Sequence, residues 1–139
     1  MNTHSTPIQL RFSDIDVLGH VNNARFSTFM EVARVKYFNE VTKGIIDWKK
    51  LGFLLARVET DFLMPVFFHD VLTVETHVSH IGTKSFTMEY EFRVEGDAGP
   101  MVKARGKSVQ VAYSFETERS VPIPEIWLER IRAFQRDGF

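Results

Sequence analysis

The chain has 139 residues, 44% of them hydrophobic and 25% charged, a length and balance that fit one soluble globular domain and exclude a disordered or fibrous chain. Seventeen basic against eighteen acidic side chains leave a net charge of -1, so bulk charge points to neither nucleic acid nor a membrane surface as a partner. Cysteine is absent, which removes disulfides, thiolate metal sites and a thiol nucleophile and fits a reducing compartment such as the cytoplasm. The first nine residues are polar and no later stretch approaches the roughly 18 apolar residues of a membrane helix, so a single domain over residues 1–139, with no membrane segment, is expected.

Residues 8–12 alternate apolar side chains with Gln9 and Arg11, the period of a half-buried strand. Residues 13–23 break that pattern with Asp14, Asp16, Gly19, Asn22 and Asn23, which favour turns and helix caps. From Ala24 to about Val41 the positions Phe26, Phe29, Met30, Ala33, Tyr37 and Val41 follow helical spacing. Val32, Val35 and Phe38 widen the stripe, so the expected helix is buried over most of its girth, with Asn22 or Asn23 as its N-cap and Gly44 at its end. Residues 45–52, with Trp48, read as a surface connection.

Four extended runs follow, at residues 55–63, 71–81, 85–95 and 101–113, the last three joined by Gly82-Thr83-Lys84 and by residues 96–100 as short hairpin connections. In residues 85–95, Phe86, Met88, Tyr90, Phe92 and Val94 alternate with polar side chains, so one face packs inward. Pro124 is placed to start a short terminal helix through Trp127 and Ile131. The pattern predicts an α+β fold in which an antiparallel sheet of about five strands wraps one long central helix. Its exposed edge strand favours a homodimer, or a homotetramer built from dimers.

The densest polar cluster is Asp14-Ile15-Asp16-Val17-Leu18-Gly19-His20-Val21-Asn22-Asn23, between a strand and the long helix. Taken alone, acids and Asn before a helix are capping chemistry. A helix N-terminus, however, also presents unpaired N–H groups and a partial positive charge of about +0.5, which favours an oxyanion as it develops.

Three stretches, Arg11-Phe-Ser-Asp-Ile-Asp16, Gly19-His20-Val21-Asn22-Asn23-Ala24 and Glu31-Val-Ala-Arg34, resemble the hotdog-fold acyl-CoA and hydroxybenzoyl-CoA thioesterases, as do Phe62-Leu63-Met64-Pro65 and Gly82-Thr83-Lys84-Ser85 downstream. The resemblance spans nearly the whole chain. It implies hydrolysis of an acyl-CoA, or of an acyl-carrier-protein thioester, with Asp16 as the catalytic carboxylate and the backbone N–H near Asn23 polarising the carbonyl. Coenzyme A then belongs to the substrate, and no separate cofactor or metal is expected. Plant-type acyl-carrier-protein thioesterases are similar over the same segment and implicate the histidine, here His20, but Leu18 stands where that group has Asn. A thiol with a pKa near about 8.5 leaves readily, so no strong general acid is demanded, and no Gly-x-Ser-x-Gly elbow is present.

Gly19, Asn22, Lys84, Ser85 and Arg105 are the expected substrate contacts, Lys84 and Arg105 as partners for phosphate. Lys103, Arg105 and Lys107 share one face of an ideal strand and could equally meet Glu89 and Glu91 across the sheet. Asp14 reads as a turn residue, Glu31 and Arg34 as a helical ion pair, and Glu59 as an exposed strand acid. His77 and His80, three apart on a strand, are expected on opposite faces and not as metal ligands. Two other functions fit the sequence: a hotdog acyl hydratase or dehydratase using His20, which lacks the Gly-His-Phe-Pro segment typical of dehydratases, and a non-catalytic acyl-thioester binding module.

Overall fold

Phe86, Met88, Tyr90, Phe92 and Val94 are all buried along the strand Ser85–Gly96, while their neighbours stay partly exposed, so the middle of the sheet has one apolar face. The computed structural model describes residues 1–136. Its elements are β1 (His4–Ile8), α1 (Arg25–Val41), β2 (Leu51–Phe62), β3 (Leu72–Ile81), β4 (Ser85–Gly96), β5 (Gly99–Ser114), β6 (Arg119–Ser120) and α2 (Glu125–Gln135). The strands form one antiparallel sheet in the order β1-β3-β4-β5-β2, with the two-residue β6 beside the end of β5 as a sixth strand. β6 is too short to show any periodicity in sequence.

α1 lies across the apolar face of this sheet. Its buried side, Phe26, Phe29, Met30, Ala33, Tyr37, Phe38 and Val41, supplies the centre of the core. The Met30 sulfur fills the space that a side chain at Gly106 on β5 would occupy, since a Cβ there would lie 2.5 Å from it. At the other end, Phe38 meets the rings of Phe53, Phe86 and Trp127 and ties α1 to β2, β4 and α2 together.

Several expectations are corrected. The first strand is His4–Ile8 and not residues 8–12, because its ladder runs from His4 opposite Thr76 to Ile8 opposite Leu72. Phe12–Asp14 instead turns as a short 3-10 helix where the Arg11 and Asp14 side chains and backbone bond one another. β2 starts at Leu51 and not at residue 55, and a bulge between Leu55 and Arg57 breaks the alternation that would have marked it. Neither Asn caps α1 in the expected way; Ala24 holds the cap position, and the Asn22 Oδ1 accepts the Ala24 N–H at 2.9 Å.

α1 is also less enclosed than its composition suggests, since Val32 and Val35 are 38% and 39% exposed. Glu31 and Arg34 do not pair: Glu31 is exposed, whereas Arg34 is buried and donates to the Tyr90 hydroxyl at 3.0 Å. Two bulges alter which side chains share a face. One, between Val78 and His80, sets His77 opposite Glu89 and His80 opposite Thr87, both on the outward face. The other leaves Lys103 between residues paired with Phe92 and Arg93, so it is buried while Arg105 and Lys107 are exposed. Among the described residues no three potential metal ligands cluster.

Phe38→Ala removes a fully buried ring that touches four aromatic neighbours. It is expected to cost about 3–5 kcal/mol, read as a lower urea midpoint with an unchanged slope.

Candidate active site

The segment between β1 and α1 is folded by its own polar groups. Asp16 N–H donates to the His20 carbonyl at 2.8 Å and Gly19 N–H to the Asp16 carbonyl at 3.0 Å, which closes a tight turn. Gly19 occupies φ +84°, a left-handed conformation that a side chain would strain. The Asp16 Oδ1 accepts the Leu18 N–H at 2.9 Å and the His20 N–H at 3.4 Å, so the carboxylate is held by the loop it belongs to. Val21 N–H donates to the Val66 carbonyl at 2.8 Å, and His20 bridges to Phe67, which anchors the turn against the segment after β2.

Asp16, His20, Asn22 and Asn23 line one open cavity of about 390 Å³ at the start of α1. Its opposite wall is apolar: Phe26 from the helix, Phe62 from β2, and Leu63, Met64, Pro65 and Val66 beyond it. Phe26 and Phe62 meet edge to face at 5.2 Å, so the wall is continuous with the core. The sequence pattern points to none of these wall residues as part of a site: it sets Phe26 in the buried stripe of the helix, and Phe62-Leu63-Met64-Pro65 only forms part of the family resemblance.

At the first turn of α1 most N–H groups are already used. Ala24 N–H goes to the Asn22 side chain, Arg25 N–H to the Asn22 carbonyl at 2.9 Å, and Phe26 N–H to the Asn23 carbonyl at 3.3 Å. The Asn23 N–H has no acceptor among the described residues. An open donor at a helix N-terminus, in the same cavity as a carboxylate, can accept a developing oxyanion. The His20 ring packs edge-on against Phe67 at 5.2 Å and its nitrogens have no partner among the described residues, which leaves them available to a ligand or water.

Gly19 belongs to the turn beside this cavity, whereas Lys84, Ser85 and Arg105 do not line it. Ser85 pairs with Val111, and Phe62 with Ala104, so Ser85 and the cavity wall are separated along β5 by roughly 23 Å at strand rise. Arg105 lies 3.5 Å from Glu91 on the outward face, where Arg93 also meets Glu91 at 2.6 Å. The Arg93 hydrogen bond, with the charges of both arginines, outweighs partial burial and holds the Glu91 carboxyl below the usual range. The cross-strand pairing considered for Arg105 is therefore present.

The fold and cavity have clear relatives. The family model described as the thioesterase-like superfamily matches residues 10–131. The chain belongs to this superfamily. A thioesterase from Thermus thermophilus, solved with coenzyme A and zinc, is 34% identical, with 97% of this chain and 96% of that one covered at a TM-score of 0.82. The acyl-CoA thioesterase YbgC of Haemophilus influenzae is 29% identical over 109 residues, covering 76% of this chain and 79% of that protein. A 4-hydroxybenzoyl-CoA thioesterase, 18% identical, shares the fold at a TM-score of 0.83 over 93% of this chain and 98% of its own. The sheet and central helix are thus the hotdog arrangement of this thioesterase-like superfamily.

Asp14, in the same loop, has a side chain that is 1% exposed. Burial pushes its carboxyl up, but the hydrogen bonds from the Arg11 guanidinium and N–H and the charges of Arg11 and Arg25 together hold it below the usual range. A depressed pKa stabilises the fold above the unfolded aspartate value of about 3.9, and that contribution fades as pH falls through the lower folded value. Melting temperatures of the wild type and Asp14→Asn, measured from pH 6 downward, should therefore differ most at the upper end and converge in acid.

Proposed function

We propose that this protein hydrolyses acyl-CoA thioesters, with Asp16 as nucleophile or general base and the Asn23 N–H as the oxyanion donor. The observation that carries the reading is the shared cavity: Asp16 and Asn23, the second with an unpaired N–H, line one space with an apolar wall. The thioester carbonyl docks at Asn23, where the helix N-terminus favours the charge that forms on oxygen. Asp16 then either attacks the carbonyl carbon, expelling the thiolate and forming a mixed anhydride that water hydrolyses to the free acid and Asp16, or takes a proton from a water that attacks the carbonyl as the thiolate departs. The apolar wall from Phe26 to Val66 receives the acyl group. His20 borders the same space, placed to orient water or substrate, with Gly19 and Asn22 shaping the turn around it. The coenzyme A bound in the Thermus neighbour and the name of the Haemophilus relative support this substrate class.

Asp16→Ala should lower kcat for thiol release by at least about 100-fold while the protein stays folded, followed by a thiol reagent over short, long and aromatic acyl-CoAs and an acyl-carrier-protein ester. Full activity in that variant would reject the mechanism. Asp16→Asn removes the charge alone and should lose a comparable share.

The working form is proposed to be a homodimer. β2 is a sheet edge twelve residues long whose Leu54, Leu55 and Val58 are 44%, 47% and 38% exposed, and an uncovered apolar edge of that length invites pairing. Phe62 of the same strand walls the cavity, so a second copy on this edge sits beside the site. It is also the route by which Lys84, Ser85 or Arg105 could reach coenzyme A bound at Asp16. Val58→Lys should shift the protein toward monomer in light scattering coupled to size exclusion; an unchanged mass would place the interface elsewhere. No helix is long and apolar enough to cross a membrane, and the cysteine-free composition supports the cytoplasm as its compartment.

A further inference from the structure

The two groups assigned to the reaction come from different segments, Asp16 from a loop and Asn23 from the start of a helix. Their common neighbour is Asp14. Its carbonyl accepts the Asn22 N–H at 2.8 Å, the peptide unit just before Asn23. Its carboxylate accepts the Arg11 N–H at 2.8 Å and the Arg11 guanidinium at 3.0 Å, and faces the Arg25 Nε, in the first turn of α1, at 3.5 Å.

A turn residue needs none of this. A carboxylate in a turn ordinarily keeps its oxygens in water, and burying one is costly unless it is paired and hydrogen-bonded. Here the side chain is 1% exposed between two cations that themselves remain 62% and 40% exposed. Asp14 also lies outside the cavity of Asp16 and Asn23, bordering instead the space between β1 and α1 that Ile8 and Thr28 line. It does not line the cavity assigned to the substrate. The charge arithmetic matters as well: an uncompensated anion beside the first turn of α1 would compete with an oxyanion for the positive helix end, and Arg11 and Arg25 cancel it.

We propose that Asp14 is a positioning residue for thioester hydrolysis, its buried carboxylate latching the Asp16 turn to the first turn of α1 through Arg11 and Arg25. The latch sets the distance between the Asp16 carboxylate and the Asn23 N–H so that both meet one carbonyl. This rests on the reading of Asp16 and Asn23 given above.

The test is steady-state thiol release on the intact protein, with kcat expressed per folded molecule from circular dichroism at the assay temperature. Asp14→Asn should lower kcat on the order of 10- to 100-fold, the scale of a small misplacement of reacting groups, with KM within about twofold of wild type. Arg25→Ala should lower kcat less, and the double variant should be no worse than Asp14→Asn alone, because both act through one latch. A kcat per folded molecule equal to wild type in Asp14→Asn, or additive losses in the double variant, would overturn the proposal. If Asp14→Asn does not fold, Arg11→Ala and Arg25→Ala carry the test: a selective loss of kcat supports the latch and an unchanged kcat overturns it. Asp16→Ala in the same assay separates the two readings. Its full activity would remove the catalytic assignment itself, whereas an inactive Asp16→Ala beside a normal Asp14→Asn would remove only the latch.

Discussion

The burial of the α1 side chains from Phe26 to Val41 against the sheet, with the Met30 sulfur filling the space that Gly106 leaves open, is the contact on which the site depends. A helix whose side chains interlock with the sheet in this way cannot slide or roll freely, so its first turn is held relative to β2 and to the segment after it. Phe26 and Phe62 then meet at the same end, and the cavity opens where the helix backbone runs out of internal acceptors. The Asn23 N–H lies just before the Ala24 cap and has no acceptor among the described residues; its placement opposite an apolar wall follows from packing.

The helix–sheet interface also contains a polar line that hydrophobic burial does not explain. Arg34 donates to the Tyr90 hydroxyl, which shares a hydrogen bond with Ser108 at 2.6 Å, and Ser108 in turn donates to Gln110, whose amide reaches the Phe86 carbonyl at 3.2 Å. Burial pushes the Tyr90 hydroxyl up, against the nearby Arg34 charge and the hydrogen bonds to it, so the phenol stays protonated within the line. No carboxylate faces Arg34 among the described ion pairs. Such a chain is satisfied only in one rotation of α1 and one register of β4 on β5, so it selects the same arrangement that Met30 and Gly106 permit.

The legible parts of the fold were those with a regular period. Phe86 to Val94 announced β4 because every second side chain is apolar, and Phe26 to Val41 announced α1 because its buried side follows the helical repeat. Elements whose bonds lie far away in the chain were misplaced. β1 is made by pairing with β3 more than sixty residues on, and its own sequence has a polar start that alternation cannot recognise. The bulges at Ser79 and Lys103 each changed which side chains share a face, an effect of one extra residue that no local pattern marks.

The sequence by itself determined that a loop rich in Asp, Gly and Asn leads into a long apolar helix, because turn formers and helical periodicity are properties of neighbouring residues. It therefore placed Asp16 and Asn23 in one short stretch and made a carboxylate beside a helix start the natural candidate. Only the tertiary structure decided that these two share a cavity with Phe62 and Met64, that Lys84, Ser85 and Arg105 of the same chain lie outside it, and that Asp14 is buried between two arginines. Those outcomes are set by which strands pair and how deeply the helix sits, and such contacts join residues whose separation along the chain carries no signal.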